Sequence, residues 1–331
     1  MSSQDLITIS SPDRLLDARL LEAPGGFAWW YMDLVNDEGQ GAVLIWSFGL
    51  PFLPGVASNA RRGAPDIPAD RPSLNICVYD NHALDCYVLH EFEPHEVTWD
   101  REHQRWSFGE NHFRVVRDED RVSLLVDIDT PIAGTRERLI GQVQIDGVAR
   151  RMQRGSEGDA HDPDHDWTPL MGPAKGSLSL TLGEDRSYAF EGRGYHDRNG
   201  GTAPLHELGF SHWIWGRFPF EDHERIYYIL WPEERGEEPV CVAMEIGADG
   251  ETVVHRDVSI KLAKKRREVL GMSWHERVEI EVDGEPWLNA RPVDVLDNGP
   301  FYLRFFVEAT TPDGQRARGV GEACRPDRID L

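Results

Sequence analysis

Hydrophobic positions in this 331-residue chain recur mainly at every second residue and almost nowhere at the spacing of an amphipathic helix. The alternation is clearest over 122–128, where Val122, Leu124, Val126 and Ile128 would line one face of a strand. The same reading predicts strands over 27–34, 42–48, 74–79, 85–92, 96–99, 105–108, 112–117, 139–145, 177–182 and 187–191. A further series covers 240–246, 251–260, 275–282, 301–309 and 315–324. The first two strands are joined by Asn36-Asp37-Glu38-Gly39, a hairpin signal. A short helix opened by Ser11-Pro12 is the exception. So many short strands predict an all-β barrel or sandwich, not an α/β fold.

The second half restarts the pattern of the first. Trp30 and Trp46 stand 16 residues apart across one hairpin, and Trp215 and Trp231 stand 16 apart across another. Phe27 and Phe210 precede the two. The echo suggests two related barrels joined near residue 205, dividing the chain into 1–205 and 206–331. Residues 58–73 read as a surface loop and 150–166 as a polar, acidic connection. Residues 49–55, Gly-Leu-Pro-Phe-Leu-Pro-Gly, read as an irregular apolar segment: a barrel plug if buried, and over 48–55 a candidate for transient membrane contact if exposed.

Composition narrows the partners. With 40% hydrophobic and 28% charged residues the chain is globular and long enough for two cores. A net charge of -23 opposes nucleic acid, which requires a concentrated basic surface. The one basic run is Lys261 to Arg267, and it holds three of the four lysines. Cys77, Cys86, Cys241 and Cys324 are scattered, as reduced thiols would be. The first ten residues lack the form of a signal peptide, and prolines and glycines interrupt the most apolar window, 41–57. A soluble, cytoplasmic protein is expected, peripheral to a membrane at most.

Candidate chemistry concentrates in Gly192-Arg193-Gly194-Tyr195-His196-Asp197-Arg198-Asn199-Gly200-Gly201. In an extended segment Tyr195, Asp197 and Asn199 share a face, while His196 and Arg198 point the other way. The plain alternative is a solvated turn. Upstream lies His165-Asp166-Trp167-Thr168-Pro169, and downstream the aromatic cluster Phe210-Ser211-His212-Trp213-Ile214-Trp215. His161, Asp162, Asp164, His165 and Asp166 offer potential metal ligands, although Pro163 prevents a shared helix face, and a solvated acidic loop explains them as well. No dinucleotide fingerprint, nucleophile elbow or P-loop is written in the chain.

His165-x-Trp167, Tyr195-x-Asp197-x-Asn199-x-Gly201 with Pro204-Leu205, and Trp213-x-Trp215 together resemble the carotenoid 1,2-hydratase (hydroxyneurosporene synthase) family. Its superfamily includes lipocalin-like proteins and fungal Diels–Alderases. The opening Trp29-Trp30-Tyr31-x-Asp33 and the closing Gly319-Val320-Gly321-Glu322 with Arg325-Pro326-Asp327 are similar to the family's ends. The resemblance implies an all-β protein of two lipocalin-like, calycin-type antiparallel barrels with an active site at their junction. It implies Asp197 as the acid, with His165, Trp167 and Tyr195 as helpers, and a hydrophobic, isoprenoid-like substrate.

The chemistry so implied is protonation of an alkene carbon followed by capture of a tertiary cation by water, which needs no cofactor. An ordinary aspartate is protonated in only about one copy in 1,000 at pH 7, so Asp197 would need burial worth about 4 kcal/mol to serve as an acid. Aromatic rings would supply that burial and face the cation. Asn199, Trp213, Trp215, Trp30 and Tyr31 are the substrate-binding candidates, and His165 would reload Asp197 or deprotonate water. Capture by a neighbouring alkene would make the same site a terpenoid cyclase. A Diels–Alderase-type pericyclase and a lipocalin-like carrier without turnover are the alternatives.

Overall fold

The computed structural model describes residues 6–13, 16–100, 102–103, 105–118, 120–152, 165–234 and 236–329. Alternating sequence becomes strand almost throughout, in two curled, lipocalin-like antiparallel sheets. The first has 13 strands. Its order is Ala83–Glu91, Pro72–Asp80, Gly41–Phe48, Phe27–Val35, Arg186–Gly201, Met171–Leu182, Arg138–Ala149, Arg121–Pro131, Asn111–Asp118, Arg105–Phe108 and Val97–Asp100. Asp166–Pro169 adds to the far end of Arg186–Gly201 and carries Thr8–Ile9 in parallel. The second sheet has 10 strands, ordered Arg151–Met152, Glu251–His255, Val240–Gly247, His223–Pro232, Phe210–Pro219, Arg316–Cys324, Tyr302–Thr310, Glu285–Asn298, Ser273–Val282 and Val258–Arg267.

Three apolar cores follow. One fills the first sheet's curl around Trp46, Phe108 and Phe113, and one fills the second's around Phe218, Ile229 and Phe305. The third lies between the sheets and collects Trp29, Tyr31, Trp167, Trp213, Trp215 and Tyr228. All nine residues of Phe27–Val35 are therefore buried, because both faces of that strand meet a core. Trp30, Met32 and Leu34 point into the first barrel, while Trp29, Tyr31 and Asp33 point to the junction.

Where the two sheets meet, Arg217 bridges them. Its guanidinium donates to Asp33 of the first sheet through Nε and Nη2, and through Nη1 to Glu224 of the second at 3.2 Å. All three side chains are fully buried.

Several expectations need correction. The region read as a loop after residue 57 contains the end of a helix, Val56–Arg61, whose Val56, Ala57 and Ala60 are buried. The strand expected over 187–191 continues without a break to Gly201. The strand expected over 251–260 is two, separated at Arg256 and Asp257. Leu50 and Leu53 are buried, so the leucines of 48–55 pack inward, while Phe52 is partly buried and Pro54 exposed. No helix among the described residues is long and apolar enough to cross a membrane. The tryptophan echo marks two hairpins but not equivalent positions: Trp30 pairs with Trp46, whereas Trp215 pairs with Tyr228.

Candidate active site

The strand Arg186–Gly201 carries the site because its last third is held on both edges, by Phe27–Val35 and by Asp166–Pro169. Glycines let it pack closely just before that stretch. A Cβ on Gly192 would lie 2.3 Å from the Val35 carbonyl oxygen, and one on Gly194 would lie 2.4 Å from the Ile145 side chain. Alternation then turns Tyr195, Asp197 and Asn199 toward the junction. Trp167, paired with Asn199 across the ladder, leans onto the same carboxyl.

Asp197 receives three hydrogen bonds. Trp167 Nε1 donates to its Oδ2 at 2.9 Å, Tyr195 Oη donates to Oδ2 at 3.0 Å, and Asn199 Nδ2 donates to Oδ1 at 3.0 Å. Burial nevertheless dominates. It pushes the Asp197 carboxyl up to about 8, with the nearby Glu322 and Asp33 adding to the rise and the Trp167 and Tyr195 bonds opposing it. Oδ2 already accepts twice, so the proton belongs on Oδ1, which has acceptor capacity to spare.

The carboxyl faces a cavity of about 30 Å³, also lined by Trp29, Tyr31, Trp213, Trp215, Tyr228 and Glu322. That is room for about one water molecule. Trp215 Nε1 has no protein partner among the described residues, which leaves it to a water or a substrate, and Tyr31 Oη makes no well-formed bond there although it is close enough to Asp33 to lower that carboxyl's pKa. The rings form two groups around the cavity: Tyr31 lies 5.6 Å from Trp215 and 6.2 Å from Tyr195, and Trp167 lies 5.4 Å from Tyr228. On the opposite side Arg304 Nε donates to Glu322 Oε1 at 3.1 Å. Burial raises the Glu322 pKa, and Arg304 counters it.

The predicted residues thus divide. Asp197, Asn199, Trp167, Tyr31, Trp213 and Trp215 line one cavity, and Tyr195 supports Asp197 from behind. His165 is buried beside Phe210 and Tyr228, and burial lowers its pKa to about 4, so the ring is neutral. Its nitrogens make no hydrogen bond among the described residues, although Asn199 is close enough to raise its pKa slightly. Trp30 is a correction: it packs on Trp106 and Phe113 inside the first barrel, because alternation sends it to the face opposite Tyr31. His161, Asp162 and Asp164 lie outside the described residues, and no group of three metal-binding side chains occurs among the described ones.

Sequence reasoning missed three lining residues. Trp29 was legible, since it shares the face of Tyr31. Glu322 and Tyr228 belong to the second sheet, and only the packing of the sheets brings them near Asp197.

Fold and site together define a lipocalin-like β protein with a protonatable carboxyl enclosed among aromatic rings between two sheets. More narrowly, the chain belongs to the carotenoid hydratase CrtC family, whose sequence profile matches residues 56–330. It is 27% identical over 328 residues to the hydroxyneurosporene dehydrogenase of Chlorobaculum tepidum, covering 92% of this chain and 84% of that protein. It is 26% identical over 307 residues to the acyclic carotenoid 1,2-hydratase of Thiocapsa roseopersicina, covering 92% and 70%. The crystal structure of CghA with Sch210972 superposes at a TM-score of 0.61 and 13% identity, over 91% of this chain and 88% of that one. A Nitrosomonas europaea structure assigned to AttH also gives 0.61 at 13% identity, over 96% and 99%. These two likenesses establish the fold alone.

Proposed function

We propose that this protein adds water across a terminal trisubstituted double bond of an acyclic carotenoid, with Asp197 as the acid. The observation that carries the reading is a buried carboxyl in the wall of an aromatic cavity, its pKa pushed up to about 8 by burial. Asp197 Oδ1 gives its proton to the less substituted alkene carbon, and the π pair forms the new C–H bond. The tertiary cation left behind faces Tyr31, Trp167, Trp213, Trp215 and Tyr228, whose ring faces stabilise it by about 0.5 to 2 kcal/mol each. Water then bonds to the cationic carbon and returns a proton to the Asp197 carboxylate, which restores the acid. Glu322 orients that water by accepting its other O–H. His165, neutral and bonded to no acid, acts as a positioning residue on Asn199.

The rest of the polyene has a place to lie. Asp197, Tyr31, Ile45, Asn75 and Leu89 stand in one register row across the first sheet. Neighbouring strands are about 4.8 Å apart, so Ile45 lies roughly 10 Å from Asp197. There a largely apolar cavity of about 280 Å³ begins, lined by Ile45, Leu50, Phe52, Leu89, Phe301 and Tyr302. Phe52 stands between the two cavities, 6.5 Å from Trp29 and 5.8 Å from Phe301.

Turnover of an acyclic carotenoid in deuterated water tests the chemistry. The product is expected to gain one water and one carbon-bound deuterium, read by mass analysis. Deuterium without water would make the site a cyclase or isomerase, and unaltered bound carotenoid would make it a carrier. Glu322→Gln is expected to return deuterated starting material in place of the hydroxylated product. Placement of the chain has its own test. Leu89→Trp is expected to raise KM at least tenfold for a full-length carotenoid and to leave a short prenyl alkene unaffected; equal effects on both would remove the chain from this cavity.

A further inference from the structure

The basic run Lys261 to Arg267, which the reaction does not use, forms the end of the strand Val258–Arg267. The hairpin beyond it, over 268–272, presents Val269 at 95% exposure and Leu270 at 52%. Aliphatic side chains this bare at the tip of a turn gain nothing from water. Beside them opens a cavity of about 630 Å³ whose lining includes Lys265, Arg266, Arg267, Arg325 and Arg328, with no carboxylate among its described lining residues. Trp231, Trp274 and Met272 form part of its wall.

Nearby acids cancel only part of this charge. Glu276 pairs with Lys264 at 3.4 Å and with Arg266, and Asp327 pairs with Arg325 at 2.9 Å. Glu268, in the hairpin itself, accepts from Trp274 Nε1 at 2.7 Å and Asn298 Nδ2 at 3.1 Å, both neutral donors, and so offsets one further cation. Lys265 and Arg267 have no ion-pair partner among the described residues. In a chain of net charge -23, cations and bare aliphatics coincide at this tip.

We infer that this hairpin and the basic cavity mouth dock the protein onto an anionic bilayer surface, with Val269 and Leu270 entering the headgroup boundary and Lys265, Arg267 and Arg328 meeting lipid phosphates. The two features match the two halves of such a surface, apolar chains beneath an anionic layer. A nucleic acid would satisfy the cations but offer nothing to the aliphatic pair. The acidic remainder of the protein is screened beyond about 10 Å at 0.1 M salt, so it does not prevent contact at a protruding tip.

The full chain is floated with vesicles of equal parts phosphatidylcholine and phosphatidylglycerol, and with phosphatidylcholine alone. Binding is expected only to the anionic vesicles and is expected to weaken as salt rises. Val269→Ser with Leu270→Ser, and separately Lys265→Gln with Arg267→Gln, are each expected to reduce binding at least tenfold. Both variants are expected to keep the wild-type circular dichroism spectrum and turnover of detergent-dispersed substrate. Absence of wild-type binding, equal binding to neutral vesicles, or unchanged binding by both folded variants would overturn the inference. Displacement by inorganic phosphate at matched ionic strength would also overturn it, leaving a simple anion site.

Discussion

Asp197→Asn is expected to lower carotenoid turnover by about 10²–10⁴-fold, the range typical for loss of a general acid. The upper end is expected, because His165 is neutral and Glu322, the other carboxyl lining the cavity, is paired with Arg304. Asparagine keeps the size and an acceptor for Trp167 and Tyr195, so carotenoid binding, followed by quenching of the junction tryptophans, should stay within a few-fold. A variant that still hydrates at the wild-type rate would return Asp197 to a structural role. Wild-type turnover is expected to hold through neutral pH and to decline above about pH 8, where burial no longer keeps the carboxyl protonated. The same shift has a stability consequence. A carboxyl raised in the fold from 3.8 to about 8 contributes stability that is complete below the unfolded value and is lost as pH rises through the folded one. The asparagine variant should therefore gain stability over wild type progressively between those limits, by a few kcal/mol in denaturant unfolding.

Arg217→Met is expected to cost about 3–5 kcal/mol in urea unfolding, a large share of the 5–15 kcal/mol that typically holds a domain together. One guanidinium here serves two buried carboxyls, and they are not equivalent. Asp33 is held from two guanidinium nitrogens, which oppose the upward push of burial on its carboxyl. Glu224 has a single bond, its Oε2 has no partner among the described residues, and burial pushes its pKa up to about 7. Burial alone would lower the Arg217 pKa, but the two carboxyls outweigh it and raise it. Removing the arginine leaves both carboxyls buried at the junction without their counter-charge. Adding Asp33→Asn and Glu224→Gln to Arg217→Met should recover much of the loss, since no buried charge then remains. If the single variant unfolds like wild type, the bridge does not hold the sheets together.

Tyr195, Asp197 and Asn199 were legible as one face because strand alternation has a period of two, whatever the strand packs against. The nature of the strands was legible for the same reason. The facing of Trp30 was not. In a strand buried on both sides, alternation says that Trp30 opposes Trp29 and Tyr31, but both faces read as apolar, so nothing local says which one meets the site. Glu322 was visible as part of a motif, yet its meeting with Asp197 needs Arg316–Cys324 to fold against the first sheet.

The residue order by itself determined an all-β chain, the face that carries the acid and the local supply of aromatic rings, since each depends on neighbours a few positions away. Tertiary structure alone decided that two sheets enclose that face, that burial outweighs three hydrogen bonds at Asp197, that Arg217 is shared by both sheets, and that Val269 and Leu270 are bare while Leu50 and Leu53 are covered. Desolvation and exposure are sums over everything that packs around a group, and most of what packs here comes from distant parts of the chain.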